Sequence, residues 1–283
     1  MDKTQKVKQE LCNKIITAVE DVKRTNPLTP SITNSVTINL VANTQLACGG
    51  SAAMVYLPDE GECVAQIGKA VYINMGTLLP VYEETIPATA KVLHQLKKNW
   101  VLDPVGLGIG SLRTKLIKEL KDTPPTIIRG NASEIIAVAK LWDLGDFSQS
   151  NGPLGVDSVD TVVSAERAAV ALARFIKGAV AVSGKEDLVT DGYTVVYSQG
   201  GSHFMEKITG AGCSLGGVCA VYAGVTDSFT AALTATQIYN LAGKKAEEQC
   251  AGPASFQQCF IDNLYLSTAQ DIANNPFIVK ETV

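Results

Sequence analysis

The sequence lacks several features that would assign it to a class of protein. It has no excess of basic residues, since 24 Lys and Arg stand against 28 Asp and Glu for a net charge of −4. A nucleic-acid-binding protein normally carries a basic patch or stripe. No apolar run approaches the ~20 residues that a bilayer-spanning helix needs. We therefore expect neither nucleic acid nor a membrane among its partners.

Histidines and paired cysteines are also scarce. The two histidines, His94 and His203, stand near no Ser or Cys motif, so a hydrolytic triad has no support. The seven cysteines are odd in number, scattered, and form no CxxC. This usage favours reduced thiols in a cytoplasmic protein over a disulfide framework or a zinc site. Residues 1–24 have apolar positions at helical spacing without the uninterrupted apolar segment of a signal peptide, so they predict an amphipathic helix.

The sequence does contain alternating short and long apolar segments, in a chain of 283 residues that is 46% hydrophobic. The short segments predict buried strands at 51–56, 70–75, 100–102, 126–128 and 178–182. Segments of helical period predict helices at 81–97, 111–121, 131–142 and 158–177. This alternation predicts an α/β fold with a mainly parallel sheet between helices on both faces.

We expect a single domain over residues 1–283, with residues 1–27 forming an N-terminal helix and linker. A hairpin at 188–197 should lie at the sheet margin, because an Asp-Gly turn joins its two short strands. Residues 145–155 predict an exposed loop, and the chain beyond residue 211 predicts almost wholly helical structure. Ligands of such sheets gather at the carboxyl ends of the strands.

A glycine-rich motif at 208–217, ITGAGCSLGG, is the strongest candidate for chemistry. Gly210 and Gly212 flank Ala211 where a long apolar helix begins. Residues without side chains let backbone N–H groups approach an anion, and the helix dipole adds positive potential there. This suits a transferring phosphoryl group, whose charge spreads over its oxygens. The glycine-rich start of this motif, taken alone, is more typical of a glycine turn at which the chain enters a helix.

A second motif, RGNASE at 129–134, follows a predicted strand. Asn131 and Glu134 lie three residues apart and so share a helix face. The Glu134 carboxylate suits a Mg²⁺-bound water, and Arg129 suits nucleotide phosphates. Asn followed by Glu three residues later is also a capping box. The two interpretations are compatible, and Arg129 and Gly130 before the cap are more than a cap requires.

Two further motifs carry weaker signals. Asp103, in LDPVGLGIG at 102–110, ends a predicted strand, and its carboxylate suits either a metal shell or an Asp-Pro turn. No dinucleotide-type βαβ unit follows these glycines, so they are not a Rossmann fingerprint. The polar residues of SITNSVTIN at 31–39 suit hydrogen bonds to a small ligand, although a helix cap is the simpler interpretation. Met54 taken alone would be a core residue.

The motifs follow one another in a characteristic order, which reads SITNSVTINLVAN, GGSAAM, NMGT, LDPVGLG, RGNASEI, GVDS, SGKED, TGAGCSLGG and GPASF. This order resembles that of the hydroxyethylthiazole kinases, thiamine-salvage enzymes of the ribokinase-like superfamily. The resemblance runs from about residue 28 to the final helix. It is specific, because TGAGC rather than TGAGD is typical of thiazole kinases within that superfamily.

The resemblance implies a three-layer ribokinase-like fold, Mg²⁺ with ATP as phosphoryl donor, and thiazole phosphate as product. It also implies a homotrimer whose thiazole pocket lies between subunits. The matching positions imply a role for each residue. Asn34 and Met54 would touch the thiazole, and Gly210 would lie near its hydroxyl. Arg129 and Ser183 would lie on the nucleotide side, Asp103 and Glu134 near Mg²⁺, and Cys213 where related kinases have an Asp base.

Cys213 would lie in the first turn of a helix, where the dipole should lower the pKa of its thiol, although bound ATP would oppose that effect. A packing role is the alternative, since Cys often fills small gaps. Two departures from the family are visible: Ser183 replaces the usual Thr, keeping the hydroxyl, and GGSAAM replaces GASPxM, losing a proline.

Two other functions remain open at this point. One is a ribokinase-like kinase of another vitamin precursor, hydroxymethylpyrimidine or pyridoxal, against which Cys213 and the SITN segment argue. The other is a non-catalytic nucleotide-binding relative, against which the TGAGC motif and the two acidic residues Asp103 and Glu134 argue.

Overall fold

The computed structural model describes residues 3–145, 147 and 162–281. The helices are α1 Lys3–Thr25, α2 Ile38–Ala47, α3 Pro58–Ile67, α4 Tyr82–Gln95, α5 Ser111–Glu119, α6 Ala132–Leu141, α7 Val162–Ile176, α8 Ala211–Ala223, α9 Ser228–Gln249, α10 Pro253–Leu266 and α11 Ala269–Asn274. The strands are β1 Ser31–Ile32, β2 Ala70–Asn74, β3 Asn99–Asp103, β4 Ile127–Asn131, β5 Ala179–Ser183, β6 Glu186–Thr190, β7 Thr194–Gln199 and β8 Phe277–Glu281. A 3₁₀ helix at His203–Lys207 precedes α8.

These strands form one sheet in chain order from β1 to β8. The pairs from β1 to β5 are parallel, and those from β5 to β8 are antiparallel. Because parallel strands all point the same way, the carboxyl ends of β1 to β5 meet at one edge of the sheet. The predicted mainly parallel α/β sheet is confirmed.

Each face of the sheet carries its own apolar core. Alternate side chains of a strand point to opposite faces. In β2, Tyr72 therefore belongs to the core beneath α1, α2 and α8 to α11, whereas Val71 and Ile73 belong to the core beneath α3 to α7. Helices cover both faces, as the alternation predicts, and the parallel strands are buried except at the terminal residues Asn99, Asn131 and Ser183.

Helix α8 packs unusually close to the sheet. The residues of α8 itself are apolar or small on every side and nearly all are buried. The helix lies against β2, β3, α2 and α9. A Cβ atom added at Gly216 would lie 2.4 Å from Cε2 of Tyr72, and one added at Gly212 would lie 2.8 Å from Nη1 of Arg129. Glycine at these positions, four residues apart on one helix face, lets the backbone of α8 touch side chains that rise from β2 and β4.

The N-terminal helix is part of the fold, as its amphipathic pattern predicts. Its buried face, which includes Ile15 and Val22, packs on α9, α11 and β8. Lys8 on the same helix donates a hydrogen bond to the Phe277 carbonyl, 2.8 Å away. No helix within the described ranges is long and apolar enough to cross a bilayer.

Three predictions about the sheet need correction. The segment 51–56 is not a strand: it runs beside β1 and pairs only through isolated bridges at Ser51 and Met54. The chain beyond residue 211 is not helical to its end, since β8 pairs with β7. That pairing places the hairpin β6–β7 inside the sheet rather than at its margin. Apart from residues 145 and 147, the predicted loop at 145–155 lies outside the described residues, as do the GVDS motif and the start of the helix predicted at 158–177.

Candidate active site

A row of hydrogen-bonded polar side chains crosses the carboxyl edge of the parallel strands. It starts beyond β1, where Asn34 donates from Nδ2 to Oδ1 of Asn74, 2.8 Å away. Asn74 in turn donates to the hydroxyl of Tyr72 at 2.8 Å, and that hydroxyl donates to Oδ2 of Asp103 at 3.0 Å. All four side chains are buried. The row therefore links the end of β1 to the end of β3 without a solvent-exposed gap.

The row continues from β3 to β5 through an ion pair. Nη1 of Arg129 lies 3.4 Å from Oδ2 of Asp103, and Nη2 donates to Oγ of Ser183 at 3.0 Å. Asp103 and Arg129 are 0% and 7% exposed. Each strand from β1 to β5 thus contributes to the row, through side chains within its last three residues or just beyond its end.

Burial and neighbouring charges act in opposite directions on both partners of the ion pair. Burial raises the pKa of Asp103, and the Arg129 guanidinium and the Tyr72 hydroxyl only partly offset that effect. Burial also lowers the pKa of Arg129, but the charges of Asp103 and Glu134 outweigh it and hold that pKa above its ordinary value. The remaining oxygen of Asp103, Oδ1, has no hydrogen-bond partner among the described residues. A buried carboxylate oxygen without a partner costs free energy unless a ligand satisfies it.

Glu134 is both a helix cap and a buried charge. Its Oε2 accepts from the N–H of Asn131 at 2.9 Å, while Oδ1 of Asn131 accepts from the N–H of Glu134 at 2.9 Å, which completes the predicted capping box. Its Oε1 accepts from the N–H of Gly106 at 3.2 Å. Burial, and then the charge of Asp103, raise the pKa of Glu134. A carboxylate that served the cap alone would need neither burial nor Asp103 beside it.

The oxygen atoms of the two neighbouring carboxylates suit a cation that a bound phosphate would also coordinate. Asp103 and Glu134 are the two acidic groups here, and no group of three or more His, Cys, Asp or Glu side chains in the described ranges is arranged to hold a metal ion. Mg²⁺ is commonly held by one or two carboxylates together with waters and substrate phosphates. The free Oδ1 of Asp103 and the adjacent Glu134 fit such an ion.

The N-terminus of α8 lies over this row. Gly210 caps the helix with φ +94°, in the left-handed region that favours glycine. A Cβ added there would lie 2.8 Å from Cβ of Thr37, so the loop also packs closely on the start of α2. The next residues, Ala211, Gly212 and Cys213, form the first helical turn, whose N–H groups have no partners within the helix. Together with the Arg129 guanidinium beside Gly212, they form an anion-binding corner in the chemical sense that each group suits a negative charge.

Cys213 does not have the lowered pKa that its helix position predicts. Burial, followed by the charge of Asp103, raises the pKa of its thiol to about 11, and Arg129 offsets only part of this. The dipole expectation is therefore wrong, because desolvation and a like charge outweigh the helix terminus. The Sγ atom accepts a hydrogen bond from Nδ2 of Asn34 at 3.7 Å, which joins α8 to the row beneath it.

Sequence comparison now identifies the family. A family model described as the hydroxyethylthiazole kinase family matches residues 19–270. The chain is 51% identical to a hydroxyethylthiazole kinase of Bifidobacterium longum (strain DJO10A), over 94% of this chain and 90% of that protein. The chain belongs to the hydroxyethylthiazole kinase family.

Solved structures agree with this membership of the hydroxyethylthiazole kinase family. The structure of a hydroxyethylthiazole kinase protein from Pyrococcus horikoshii OT3 superposes with a TM-score of 0.83 at 28% identity, over 96% of this chain and 100% of that chain. A ribokinase-like superfamily protein from Enterococcus faecalis V583 matches with a TM-score of 0.55 at 11% identity, over 84% and 86% of the two chains. The second likeness concerns the fold alone, and it confirms the predicted ribokinase-like architecture.

The structure gathers most of the predicted hydroxyethylthiazole kinase site residues. The residues that meet at the carboxyl edge are Asn34, Asp103, Arg129, Glu134, Ser183, Gly210, Ala211, Gly212 and Cys213. Met54 stands apart from the hydrogen-bonded row. It pairs with Ser31 at the outer edge of the sheet and is only partly buried.

Sequence reasoning missed Tyr72 and Asn74 as members of the row. Both are fully buried, and they link Asn34 to Asp103. A signal for them existed, because two polar residues two apart in the otherwise apolar segment AVYINM must point to the same face of a strand. Only the fold reveals that this face is the one covered by α8.

We expect Arg129→Met to lower the free energy of unfolding by about 3 kcal/mol near neutral pH, because it leaves the buried carboxylate of Asp103 without its counter-charge. Burial already raises the pKa of Asp103, and loss of the cation raises it further. A raised pKa lowers stability only at pH values where the same carboxylate is ionised in the unfolded chain. The loss of unfolding free energy should therefore grow as the pH rises above about 4. Urea unfolding of both proteins between about pH 5 and pH 8 measures this.

Ser183→Ala is the matched control, since it removes a hydrogen-bond acceptor of the same guanidinium but no charge. It should cost about 2 kcal/mol at every pH, as is typical of a hydrogen bond to a charged group. A loss in Arg129→Met that stays constant with pH would contradict the ion-pair interpretation.

Proposed function

We propose that this chain transfers the γ-phosphoryl group of ATP to the primary alcohol of 4-methyl-5-(2-hydroxyethyl)thiazole, forming thiazole phosphate and ADP. The observation that carries the proposal is the meeting of the α8 N-terminus with the Asp103–Arg129 ion pair and Glu134, in a chain of the hydroxyethylthiazole kinase family. A helix N-terminus offers N–H groups to an anion, and carboxylates offer oxygen ligands to a cation. Phosphoryl transfer depends on both, since catalysis is mainly positioning and charge stabilisation.

In the proposed reaction, the hydroxyl oxygen of the thiazole forms a bond to the γ-phosphorus. The bond from that phosphorus to the bridging oxygen of ADP breaks, and the hydroxyl proton passes to solvent water. The N–H groups of Ala211, Gly212 and Cys213 would bind the equatorial oxygens of the transferring group. Arg129 and Ser183 would lie on the nucleotide side, and Asn34 and Met54 on the thiazole side, with Gly210 near the hydroxyl.

Asp103 and Glu134 would hold Mg²⁺ in this proposal. The free Oδ1 of Asp103 and the burial of both carboxylates support the assignment. The ion, when bound, supplies positive charge that neutralises the phosphate oxygens. Arg129 keeps Asp103 in place beneath the phosphates, because its guanidinium is held between Asp103 and Ser183.

Cys213 takes a smaller part in this proposal than a preformed thiolate would. With a pKa raised to about 11, its thiol is protonated at neutral pH. A loose transition state requires little early deprotonation of the alcohol. We therefore assign Cys213 to orienting the acceptor hydroxyl beside Asn34, whose amide reaches the sulfur.

The proposed substrate is tested by one comparison. Purified protein is assayed for ADP release with Mg-ATP and, in turn, the thiazole alcohol, hydroxymethylpyrimidine and pyridoxal. We expect turnover with the thiazole alcohol and little with the others. Preference for either of the other alcohols would assign the chain to another vitamin-precursor kinase, and ATP binding without turnover would make it a non-catalytic relative.

All seven cysteines are free thiols. This state is typical of proteins in a reducing compartment. It supports the proposal of a cytoplasmic location.

We expect Glu134→Gln to lower kcat about 10- to 100-fold while the KM for the alcohol changes little. Gln still serves in a capping box, so the variant tests the carboxylate charge, which acts on the transition state rather than on thiazole binding. The measurement is initial rate at limiting Mg²⁺.

Glu60→Gln is the matched control for the cap. Glu60 accepts from the N–H groups of Tyr56 and Leu57 at the start of α3, on an exposed surface, so its variant should turn over like the parent. Equal rates for the two variants would contradict the assignment of Glu134 to the metal site.

Gly212→Val should be far more damaging than Cys213→Ser. The left-handed residue of the loop is Gly210, and Gly212 has an ordinary helical backbone, so the penalty at Gly212 comes from contact rather than from strain. A Cβ there would lie 2.8 Å from Nη1 of Arg129, which displaces the guanidinium or the helix turn. Losing one preorganised donor costs about 10²–10³ in kcat. If both variants fold and Gly212→Val is the more active, the anion-binding corner is wrongly assigned.

The thiazole side of the site supports a homotrimer. Val36 is 63% exposed although its neighbours Asn34 and Thr37 are 3% and 6% exposed. Met54 is partly exposed at the same edge of the sheet, beyond β1. Val36 and Met54 together offer apolar surface beside buried polar groups, which suits an interface with another subunit. We propose that a neighbouring subunit completes the pocket there.

We expect light scattering to give a trimer, and Val36→Glu to dissociate it and abolish thiazole binding while nucleotide binding persists. A charge at the interface would be buried without a partner, which strongly disfavours association. Ile278→Glu is the control, since Ile278 is 67% exposed on the opposite edge strand, β8. A fully active wild-type monomer would contradict the shared pocket.

A further inference from the structure

Arg113 occupies a position that its helix does not favour. It is the third residue of α5, whose first turn contains no acidic residue. A cation at a helix N-terminus opposes the helix dipole. The half-buried side chain turns back to the strand ends, where Nε donates to the carbonyl of Met75 at 2.8 Å and Nη1 donates to the carbonyl of Ile109. It therefore joins the loop after β2 to the loop after β3.

The bond to Met75 acts on the thiazole side of the site. The Met75 carbonyl and the Gly76 N–H belong to one peptide group, and that N–H donates to Oδ1 of Asn74 at 2.9 Å. The same Oδ1 accepts from Asn34. The N–H of Met75 also donates to the carbonyl of Asp103 at 2.9 Å. By fixing the Met75–Gly76 peptide group, Arg113 also fixes the side-chain amide of Asn74, which orients Asn34.

The bond to Ile109 acts on the carboxylate side. The N–H of Ile109 donates to the carbonyl of Gly106 at 2.9 Å, and the N–H of Gly106 donates to Oε1 of Glu134 at 3.2 Å. The guanidinium also packs on Gly106, since a Cβ added there would lie 3.6 Å from Cζ of Arg113. Arg113 thus holds the loop whose backbone holds Glu134.

The charge of Arg113 matters as well as its donors. Burial lowers the pKa of Arg113, and the carboxylate of Glu134 raises it, so the two groups lie within electrostatic reach. A second cation near Glu134 balances the two carboxylates that Arg129 alone must otherwise neutralise. Lys could not replace Arg here, because one ammonium lacks the fixed fork that reaches two carbonyls.

We propose that Arg113 is a positioning residue for the reaction of the proposed function, which couples the orientation of Asn34 on the thiazole side to that of Glu134 on the carboxylate side. It acts through the Met75–Gly76 peptide and the 104–110 loop. This inference rests on the proposed thiazole kinase activity.

The test compares Arg113→Ala and Arg113→Lys with wild type in the thiazole assay at varied alcohol and Mg²⁺ concentrations. We expect kcat/KM to fall on the order of 10²-fold in both variants, the loss that a misplacement of about 1 Å produces. The loss should divide between a raised KM for the alcohol and a lowered kcat, because both sides of the site move. Added guanidinium ion should restore part of the activity of Arg113→Ala, whereas Arg113→Lys should not be rescued.

Arg174→Ala is the matched control. Its Nε also donates to a backbone carbonyl, that of Gly192 at 2.7 Å, but at the β6–β7 turn, away from the carboxyl edge. It should lower the melting temperature without changing KM, kcat or the response to guanidinium.

Wild-type turnover separates the two hypotheses. If wild type does not phosphorylate the thiazole, the proposed function fails. If it does, and Arg113→Lys retains wild-type KM and kcat, the positioning role is overturned. A loss in Arg113→Ala that guanidinium does not restore, with KM unchanged, would also overturn it, because that is the result of a purely structural role. Should Arg113→Ala fail to fold, Arg113→Lys, which keeps the charge and the apolar stem, decides between these outcomes.

Discussion

The buried ion pair between Asp103 and Arg129 is the interaction on which the rest of the site depends. Two charges removed from water are costly unless further hydrogen bonds satisfy them. The surrounding residues supply part of those bonds, since Tyr72 donates to Asp103 and Ser183 accepts from Arg129, whereas Oδ1 of Asp103 and Nε of Arg129 have no partner among the described residues. Each of these residues comes from a different strand. The requirement to satisfy one ion pair therefore aligns the carboxyl ends of neighbouring strands and fixes the polar row above the apolar core.

Helix α8 can approach this row only because it lacks side chains at the points of contact. Its backbone touches the ring of Tyr72 at Gly216 and the guanidinium of Arg129 at Gly212. A side chain at either position would meet Tyr72 or Arg129 and hold the N-terminal N–H groups away from the charged row. The close approach brings the positive end of the helix dipole and a guanidinium to one place. It also explains why the partly buried thiol of Cys213 has a raised rather than a lowered pKa.

Several residues of the site have two functions at once. Glu134 closes the capping box of α6 and also lies beside Asp103 as a charge. Asn74 accepts from Asn34 and the Gly76 backbone while it donates to Tyr72. Such sharing makes the site rigid, because no side chain can turn without breaking a bond elsewhere. Preorganised polar groups of this kind stabilise a transition state without reorganising at the moment of reaction.

The sequence by itself determined the α/β class, the positions of α4 to α6 and β2 to β5, and the order of motifs that identifies the family. Local signals carry this information: apolar periodicity, capping residues and glycine spacing act within a few neighbouring positions. It also supplied most residues of the site, since Asp103, Arg129 and Glu134 follow recognisable strands.

The tertiary structure decided what depends on distant contacts. Only the fold shows that Tyr72 and Asn74 link Asn34 to Asp103, that β8 closes the sheet beyond the hairpin, and that Arg113 reaches back to Met75. The pKa of Cys213 belongs to the same class, because the helix dipole is a local property whereas burial beside Asp103 is not. Desolvation and hydrogen-bond satisfaction arise between residues far apart in the chain, and no local pattern records them.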